Sequence, residues 1–263
     1  MNSMTVAELS KSLASATPPL VIDVRRREAF MKDTKTLGGA LRRDPERVGE
    51  WASELPKADQ IVVTCVRGHE VSQGVAKALT GEARDAYFLE GGFVAWQEAD
   101  GQCDPKPEGA STRWVTRERP KIDRIACPWL IARFVDRNAE FLYVPTEDVR
   151  DVAKARDAVP YDIPDVRFSH EGDLCSFDAF LKHYRLNDPA LQQLALIVRG
   201  ADTARLDLAP QAPGLAAISL GLSRNFADDH EMLKHGMVMY DALYTWCREG
   251  RDELHTWNPA AYA

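Results

Sequence analysis

The sequence predicts two units in series: an α/β unit with a parallel sheet flanked by helices over residues 1–100, and a mostly helical α+β domain over 113–263, joined by a linker at 101–112. Short β-branched runs alternate with segments of helical spacing through the first hundred residues, which is the pattern of a parallel sheet with crossover helices. One of those runs stops at a cysteine, before a glycine-bearing loop and the start of a helix. A stretch rich in glycine, proline and charge then breaks all periodicity, and 3.6-residue patterns dominate the second half of the chain.

In order, Val6, Leu9 and Leu13 share a helical face within 5–14, and Leu20-Val21-Ile22-Asp23-Val24 follows Pro18-Pro19 as a short buried strand. Gly38-Gly39-Ala40 reads as a turn, Asp44-Pro45 opens a helix to about residue 55, and 61–65 is the next strand. A helix over 71–79, a strand over 86–89, the pair Gly91-Gly92 and a helix over 93–99 complete the unit.

The stretch Ile61-Val62-Val63-Thr64-Cys65-Val66-Arg67-Gly68-His69-Glu70-Val71-Ser72 organises this half. The first amides of a helix lack intrahelical partners and carry partial positive charge, so a loop entering a helix forms an anion site. A thiol there loses its proton more readily than a free cysteine at roughly 8.5, which makes Cys65 a candidate thiolate nucleophile. The alternative is a buried strand-end cysteine without chemistry, and His69 is equally read as a solvated loop residue.

With Asp23-Val24-Arg25 after the first buried strand, the cysteine loop, and Leu89-Glu90-Gly91-Gly92-Phe93-Val94-Ala95-Trp96 at the end, the first hundred residues resemble a rhodanese domain. The resemblance implies that Cys65 carries a persulfide between a sulfane-sulfur donor and a thiol acceptor, without a cofactor. The amides of Val66, Arg67, Gly68, His69, Glu70 and Val71 then cradle its charge, and Asp23 and Arg25 support the fold. Glu70 and Val71 stand where related loops carry an arginine and then a serine or threonine, so this loop is less cationic. Related phosphatases need an arginine six positions after the cysteine, and Val71 there argues against ester hydrolysis.

In the second half, 113–117, 141–144 and 166–170 read as strands. Helices are expected over 123–135, entered through Cys127-Pro128, over 176–184 with Ser176 as cap, from Asp188-Pro189 to about 200, over 213–222, and from about 227 to 248. The runs Arg119-Pro120-Lys121-Ile122-Asp123-Arg124-Ile125-Ala126-Cys127-Pro128-Trp129-Leu130-Ile131, Phe168-Ser169-His170, Cys175-Ser176-Phe177-Asp178-Ala179-Phe180, Ile197-Val198-Arg199-Gly200-Ala201-Asp202 and Asp228-Asp229-His230-Glu231-Met232-Leu233-Lys234-His235-Gly236 resemble the C-terminal domain of the chromate-resistance family ChrB. Regulators of that family carry a different N-terminal half, so the resemblance does not imply transcriptional control.

On the last helix Phe226, His230, Leu233, Met237, Tyr240, Tyr244 and Cys247 follow the helical period as a core stripe. Glu231 and His235 lie four apart on an adjoining face, and with His170 they form a candidate mixed N/O site for Zn, Fe or Mn. His230 is the alternative ligand or a core histidine, and Glu231 with His235 is alternatively a surface pair. Cys127, Cys175 and Cys247 sit in apolar surroundings and read as core, whereas Cys103 reads as an incidental exposed thiol. Asp123, Arg124, Arg199, Asp202 and Arg224 are charges among apolar segments, which must pair or line a pocket.

A net charge of −7 argues against a nucleic-acid partner, which needs a concentrated basic surface. No run approaches the ~18 apolar residues of a membrane helix, and no secretory signal is visible, so the expected location is cytoplasmic. Five widely spaced cysteines fit reduced thiols. The expected function is a persulfide carrier or sulfurtransferase coupled to chromate or oxidant resistance. The alternatives are a non-catalytic sensor binding chromate or a similar oxyanion, and a metal-dependent activity of the second domain.

Overall fold

The computed structural model describes residues 2–106 and 112–251. Residues 107–111 of the expected linker and 252–263 of the expected second domain lie outside the described residues. The first unit is a five-stranded, all-parallel sheet in the order β1-β6-β5-β2-β4: β1 (Asn2–Met4), β6 (Ala86–Leu89), β5 (Ile61–Thr64), β2 (Leu20–Asp23) and β4 (Leu41–Arg42). β2 and β5 are buried along their whole length, which is why they read as continuous apolar runs. Period-two alternation divides them between two faces. Val21 and Val62 pack with Leu9, Phe93 and Trp96 of α1 (Val6–Leu13) and α5 (Gly92–Glu98). Leu20, Ile22, Ile61 and Val63 face Trp51 of α3 (Val48–Trp51) and Val75 and Leu79 of α4 (Glu70–Gly81). With helices on both faces, the loops that follow the carboxyl ends of the strands are where such sheets place their sites.

Three local expectations are corrected. The helix expected over 44–55 is a 3-10 turn, Pro45–Arg47, followed by the single turn of α3. A short helix, α2 (Arg27–Lys32), forms where no pattern predicts one, because it buries only Phe30. The expected linker is structured at its start: β7 (Cys103–Pro105) pairs antiparallel with β3 (Lys35–Leu37), and Asp104 is buried. Charge beside proline reads as solvated chain, whereas Asp104 accepts from Gly39 N (2.8 Å) and meets His183 Nε2 (2.6 Å) and Arg167. Cys103 is consequently half-buried, its Sγ on the Gly101 carbonyl.

The second unit is built on a three-stranded parallel sheet, β10-β8-β9, of β8 (Arg113–Arg117), β9 (Glu140–Val144) and β10 (Val159–Pro160). Around it lie α6 (Asp123–Leu130), which continues through a wider turn at Ile131–Val135, α7 (Val149–Ala155), α8 (Ser176–Tyr184), α9 (Pro189–Asp202), α10 (Ala212–Asn225) and α11 (Asp229–Thr245). The strand expected over 166–170 is absent. Tyr161 and Phe168 make one isolated bridge, and the chain turns at Asp162, Asp165 and Gly172, all at positive φ. Phe168 instead stacks on Phe180, ring centroids 4.2 Å apart, and lies edge-on to Trp114.

The two units share a core. Leu20, Ile61 and Trp51 belong to the same contiguous apolar cluster as Trp129, Phe180 and Leu191. Polar contacts cross the boundary as well: Arg43 donates to Phe134 O (2.9 Å), Arg185 to Gly38 O (2.9 Å), and Lys57 N to Asp188 (3.1 Å).

Candidate functional site

Cys65 stands at the carboxyl end of β5, 5% exposed, and the loop 66–69 leads into α4. Two glycines hold this loop. Gly68, at φ +72°, lies so close to the β6–α5 turn that a Cβ would sit 2.3 Å from Leu89 O. Gly92, at φ +61°, faces Cys65 O and Gly68 N at 2.5 Å from the same imagined atom. Phe93 N (2.8 Å) and Val94 N (3.1 Å) donate to the carbonyls of Cys65 and Val66, so the turn after β6 braces the loop from behind. Gln73 Nε2 ties the Gly68 carbonyl at 3.0 Å.

That bracing turns carbonyls inward and leaves donors unused. Among the described residues the backbone N–H groups of Val66, Arg67, Gly68 and His69 have no acceptor. The side chains of Val66, Arg67, His69 and Glu70 are exposed and Val71 is half-buried, so the loop presents one guanidinium and one imidazole near one carboxylate. Ser72, fully buried on the first turn of α4, places Oγ 3.1 Å from Cys65 Sγ and 3.2 Å from the His69 carbonyl. With a protonated thiol, S–H donates to Ser72 and Ser72 donates to His69 O. With a thiolate, the hydroxyl turns and donates to sulfur. Sequence reading passes over Ser72; its signal is its place one helical turn beyond the loop.

Asp23 and Arg25 form a buried pair beneath the sheet end, Arg25 NH2 to Asp23 Oδ2 at 2.6 Å, with further bonds to Asp33 and the Lys35 carbonyl. Arg25 also lies over Phe93, 4.1 Å from the ring centroid. Among the described residues no hydrogen bond or ion pair joins it to Cys65, and through Asp23 and Phe93 it ties the end of β2 to α5.

A second cluster lies in the second unit. His170 Nε2 stands 3.2 Å from Asp202, 3.5 Å from Asp123 and 3.5 Å from Asp162. Asp162 also takes Arg117 NH2 (2.7 Å) and Arg124 Nε (3.2 Å), and Ser176 donates to it at 3.0 Å. Cys175 joins Asp123 and Asp202 in a group whose ligand atoms lie within 4.8 Å of one another. The hydrogen bond to Asp123, followed by the other carboxylates, raises His170 to about 9 against the opposing effect of burial. Burial and the Asp123 charge raise Asp202 to about 8. Asp162 rises too, for the same reasons.

The ligand set expected from spacing is therefore regrouped. Glu231 and His235 lie 3.8 Å apart on the exposed face of α11, and among the described residues they do not join His170 in one ligand group. Glu231 is held by Lys234 (2.7 Å) and His235 stacks on Phe226. His230 is edge-on to Tyr143 outside the core, and the buried stripe of α11 runs through Met232, Leu233, Gly236 and Tyr240. Gly236 sits there because Ile125 fills the space a Cβ would need, at 2.3 Å. The true partners of His170 come from α6, the 161–174 loops and the end of α9; their distance along the chain hid them. Of the other lone charges, Arg199 pairs with Asp178 through two bonds (2.6 and 3.0 Å), and Arg224 is exposed.

A family model described as "ChrB, C-terminal domain" matches residues 114–247, and one described as "Rhodanese-like domain" matches residues 5–99. Over 134 residues, 51% of this chain, the sequence is 34% identical to "Protein ChrB" of Cupriavidus metallidurans; the chain spans 40% of that protein's length. Among solved structures, a rhodanese-like domain protein from Staphylococcus aureus is similar at 26% identity and TM-score 0.33, over 36% of this chain and 91% of that one. A rhodanese-related protein from Thermoplasma volcanium is similar at 17% identity and TM-score 0.34, over 40% of this chain and 98% of that one. No helix among the described residues is long and apolar enough to cross a membrane.

Proposed function

We propose, from the premise that this chain belongs to the ChrB C-terminal-domain family and carries a rhodanese-like domain ahead of it, that Cys65 is a persulfide carrier serving chromate or oxidant resistance. The observation that carries this reading is the juxtaposition of Cys65 Sγ, the Ser72 hydroxyl and four unused loop amides. The Cys65 thiolate attacks the outer sulfur of a sulfane donor; the new S–S bond forms as the donor's own S–S bond breaks, and sulfite or a thiolate leaves. The persulfide's terminal anion is held by the amides. An acceptor thiolate then takes that sulfur and returns Cys65 to the thiolate. Glu70 and Val71 weaken the attraction for a dianionic donor and favour a persulfide donor over thiosulfate.

Incubated with thiosulfate or a low-molecular-weight persulfide, the protein is expected to gain one sulfur on Cys65 by mass spectrometry, and Cys65→Ser to gain none. Equal loading of the two would end the proposal. Calorimetry with chromate separates carriage from sensing: chromate binding that Arg67→Gln in the loop weakens, together with no sulfur loading of the wild type, favours the sensor.

A second reading rests on the meeting of His170 with Asp123, Asp162 and Asp202. One imidazole and several carboxylates suit Zn, Fe(II) or Mn, with Cys175 adjacent. Metal analysis after purification in manganese- and zinc-supplemented medium is expected to find stoichiometric metal in the wild type and in His235→Ala, and a loss in His170→Ala and Asp202→Asn. A metal-free wild type would remove this reading.

A further inference from the structure

Arginine is the residue least tolerant of an unpaired interior position, because it stays charged at every physiological pH. The buried Arg25 obeys this by meeting Asp23 and Asp33, and the half-buried Arg117, Arg124 and Arg199 meet Asp162 and Asp178. Around one cavity of about 360 Å³ between the two units, Arg42 and the buried Arg43 do without such a partner. Arg27, Arg42, Arg43, Arg47 and Arg137 line it with Asp44, Glu50 and Asp136. Arg47 pairs with Glu50, and Arg137 with Glu54. Arg27, Arg42 and Arg43 have no carboxylate within ion-pair distance among the described residues.

The acids at hand are occupied elsewhere. Asp44 caps the 3-10 turn through Glu46 N at 2.9 Å. Asp136 accepts from Thr112 N and Oγ1, both at 2.8 Å, and from Asn138 N at 2.9 Å. Arg43 is 4% exposed, its two terminal nitrogens on the carbonyls of Arg42 (2.8 Å) and Phe134 (2.9 Å), and its Nε–H is buried with no acceptor. Arg42 donates to the Asp23 and Arg43 carbonyls and lies over Phe30, 4.5 Å from the ring centroid. Burial lowers both guanidinium pKa values and outweighs the opposing charges of Asp23, Asp44 and Asp136 at Arg42 and of Asp136 at Arg43, so each cation is held at a cost. Carbonyls orient a guanidinium without neutralising it. In a chain of net charge −7, the buried Arg43 and half-buried Arg42, held by carbonyls, with the exposed Arg27, bring positive charge to one interdomain cavity whose acids are engaged with other partners.

We infer that this cavity between the domains binds a compact oxyanion of the sulfate, phosphate or chromate type, with Arg42 and Arg43 as its inner cations and Arg27 at the mouth. The planar fork of a guanidinium matches a tetrahedral oxyanion edge-on, and a doubly charged ligand returns the missing counter-charge. Domain boundaries are also where small-molecule sites concentrate. This site is distinct from the Cys65 loop and does not depend on sulfur carriage.

The test is calorimetric titration of the full chain with sulfate at constant ionic strength, repeated with phosphate and chromate, and with chloride as control. One saturable site is expected for the dianions and none for chloride. Arg42→Gln is expected to weaken it about tenfold or more, and the exposed Arg27→Gln measurably, while Cys65→Ser binds as wild type. Arg27→Gln keeps the test valid if Arg42→Gln fails to fold, since its side chain carries none of the interdomain bonds. The inference is overturned if no saturable binding occurs, or if Cys65→Ser abolishes binding that Arg42→Gln and Arg27→Gln retain.

Discussion

Gly92→Ala is expected to destabilise the protein by about 2–5 kcal/mol and to abolish sulfur loading on Cys65, although the residue carries no functional group. Two costs add. An alanine at φ +61° is strained by about 1 kcal/mol or more. Its Cβ then falls 2.5 Å from both Cys65 O and Gly68 N, backbone atoms at a strand end and in a braced loop that have no room to retreat. Relief requires lengthening the bonds from Phe93 N and Val94 N, and those bonds aim the loop. Denaturant unfolding at neutral pH reads the first effect and mass spectrometry the second. A variant with wild-type stability and loading would show that the turn after β6 does not position the thiol.

Asp104→Asn should cost about 3 kcal/mol, the lower end for breaking a buried pair because Arg167 is half-exposed. Burial alone would raise the Asp104 carboxyl; the bond and charge of His183, the Gly39 amide and Arg167 outweigh it and hold the pKa below the ordinary value. A carboxyl depressed in the folded state contributes stability that is fully present above its unfolded pKa, about 3.9, and disappears as pH falls through the folded value. The gap between wild type and Asp104→Asn is therefore expected to close as pH falls below about 4. Urea unfolding at a series of pH values measures it. A gap that persisted undiminished in strong acid would contradict the assignment of Asp104 as the ionised partner.

What the sequence disclosed depends on the range of the signal. β2, β5 and the cysteine loop were legible because a buried parallel strand is a local run, and the glycines that brace the loop stand in the segments that touch it. The first unit's sheet was read for the same reason. The His170 cluster was not, because its carboxylates come from positions 123, 162 and 202, and nothing in helical or strand spacing links them. Spacing favoured Glu231 and His235, which are neighbours on α11 but face solvent. β7 was misread as linker because a buried aspartate beside proline looks like solvated chain until its partners, His183 and Arg167, are known.

The apolar cluster that runs from Leu20 and Trp51 into Trp129 and Phe180 bears on how such a chain can be rearranged. Two halves joined only by a tether can be exchanged like beads. Here neither half has a finished outer surface on the side facing the other: Arg43 ends on Phe134, Asp188 ends on Lys57, and Asp104 reaches back to Gly39 while gripping His183. Substituting an unrelated first half would strand His183, Arg185 and Asp188 as polar groups without their partners. The joint is thus a fitted seam: exchanging the first half requires matching changes at His183, Arg185 and Asp188.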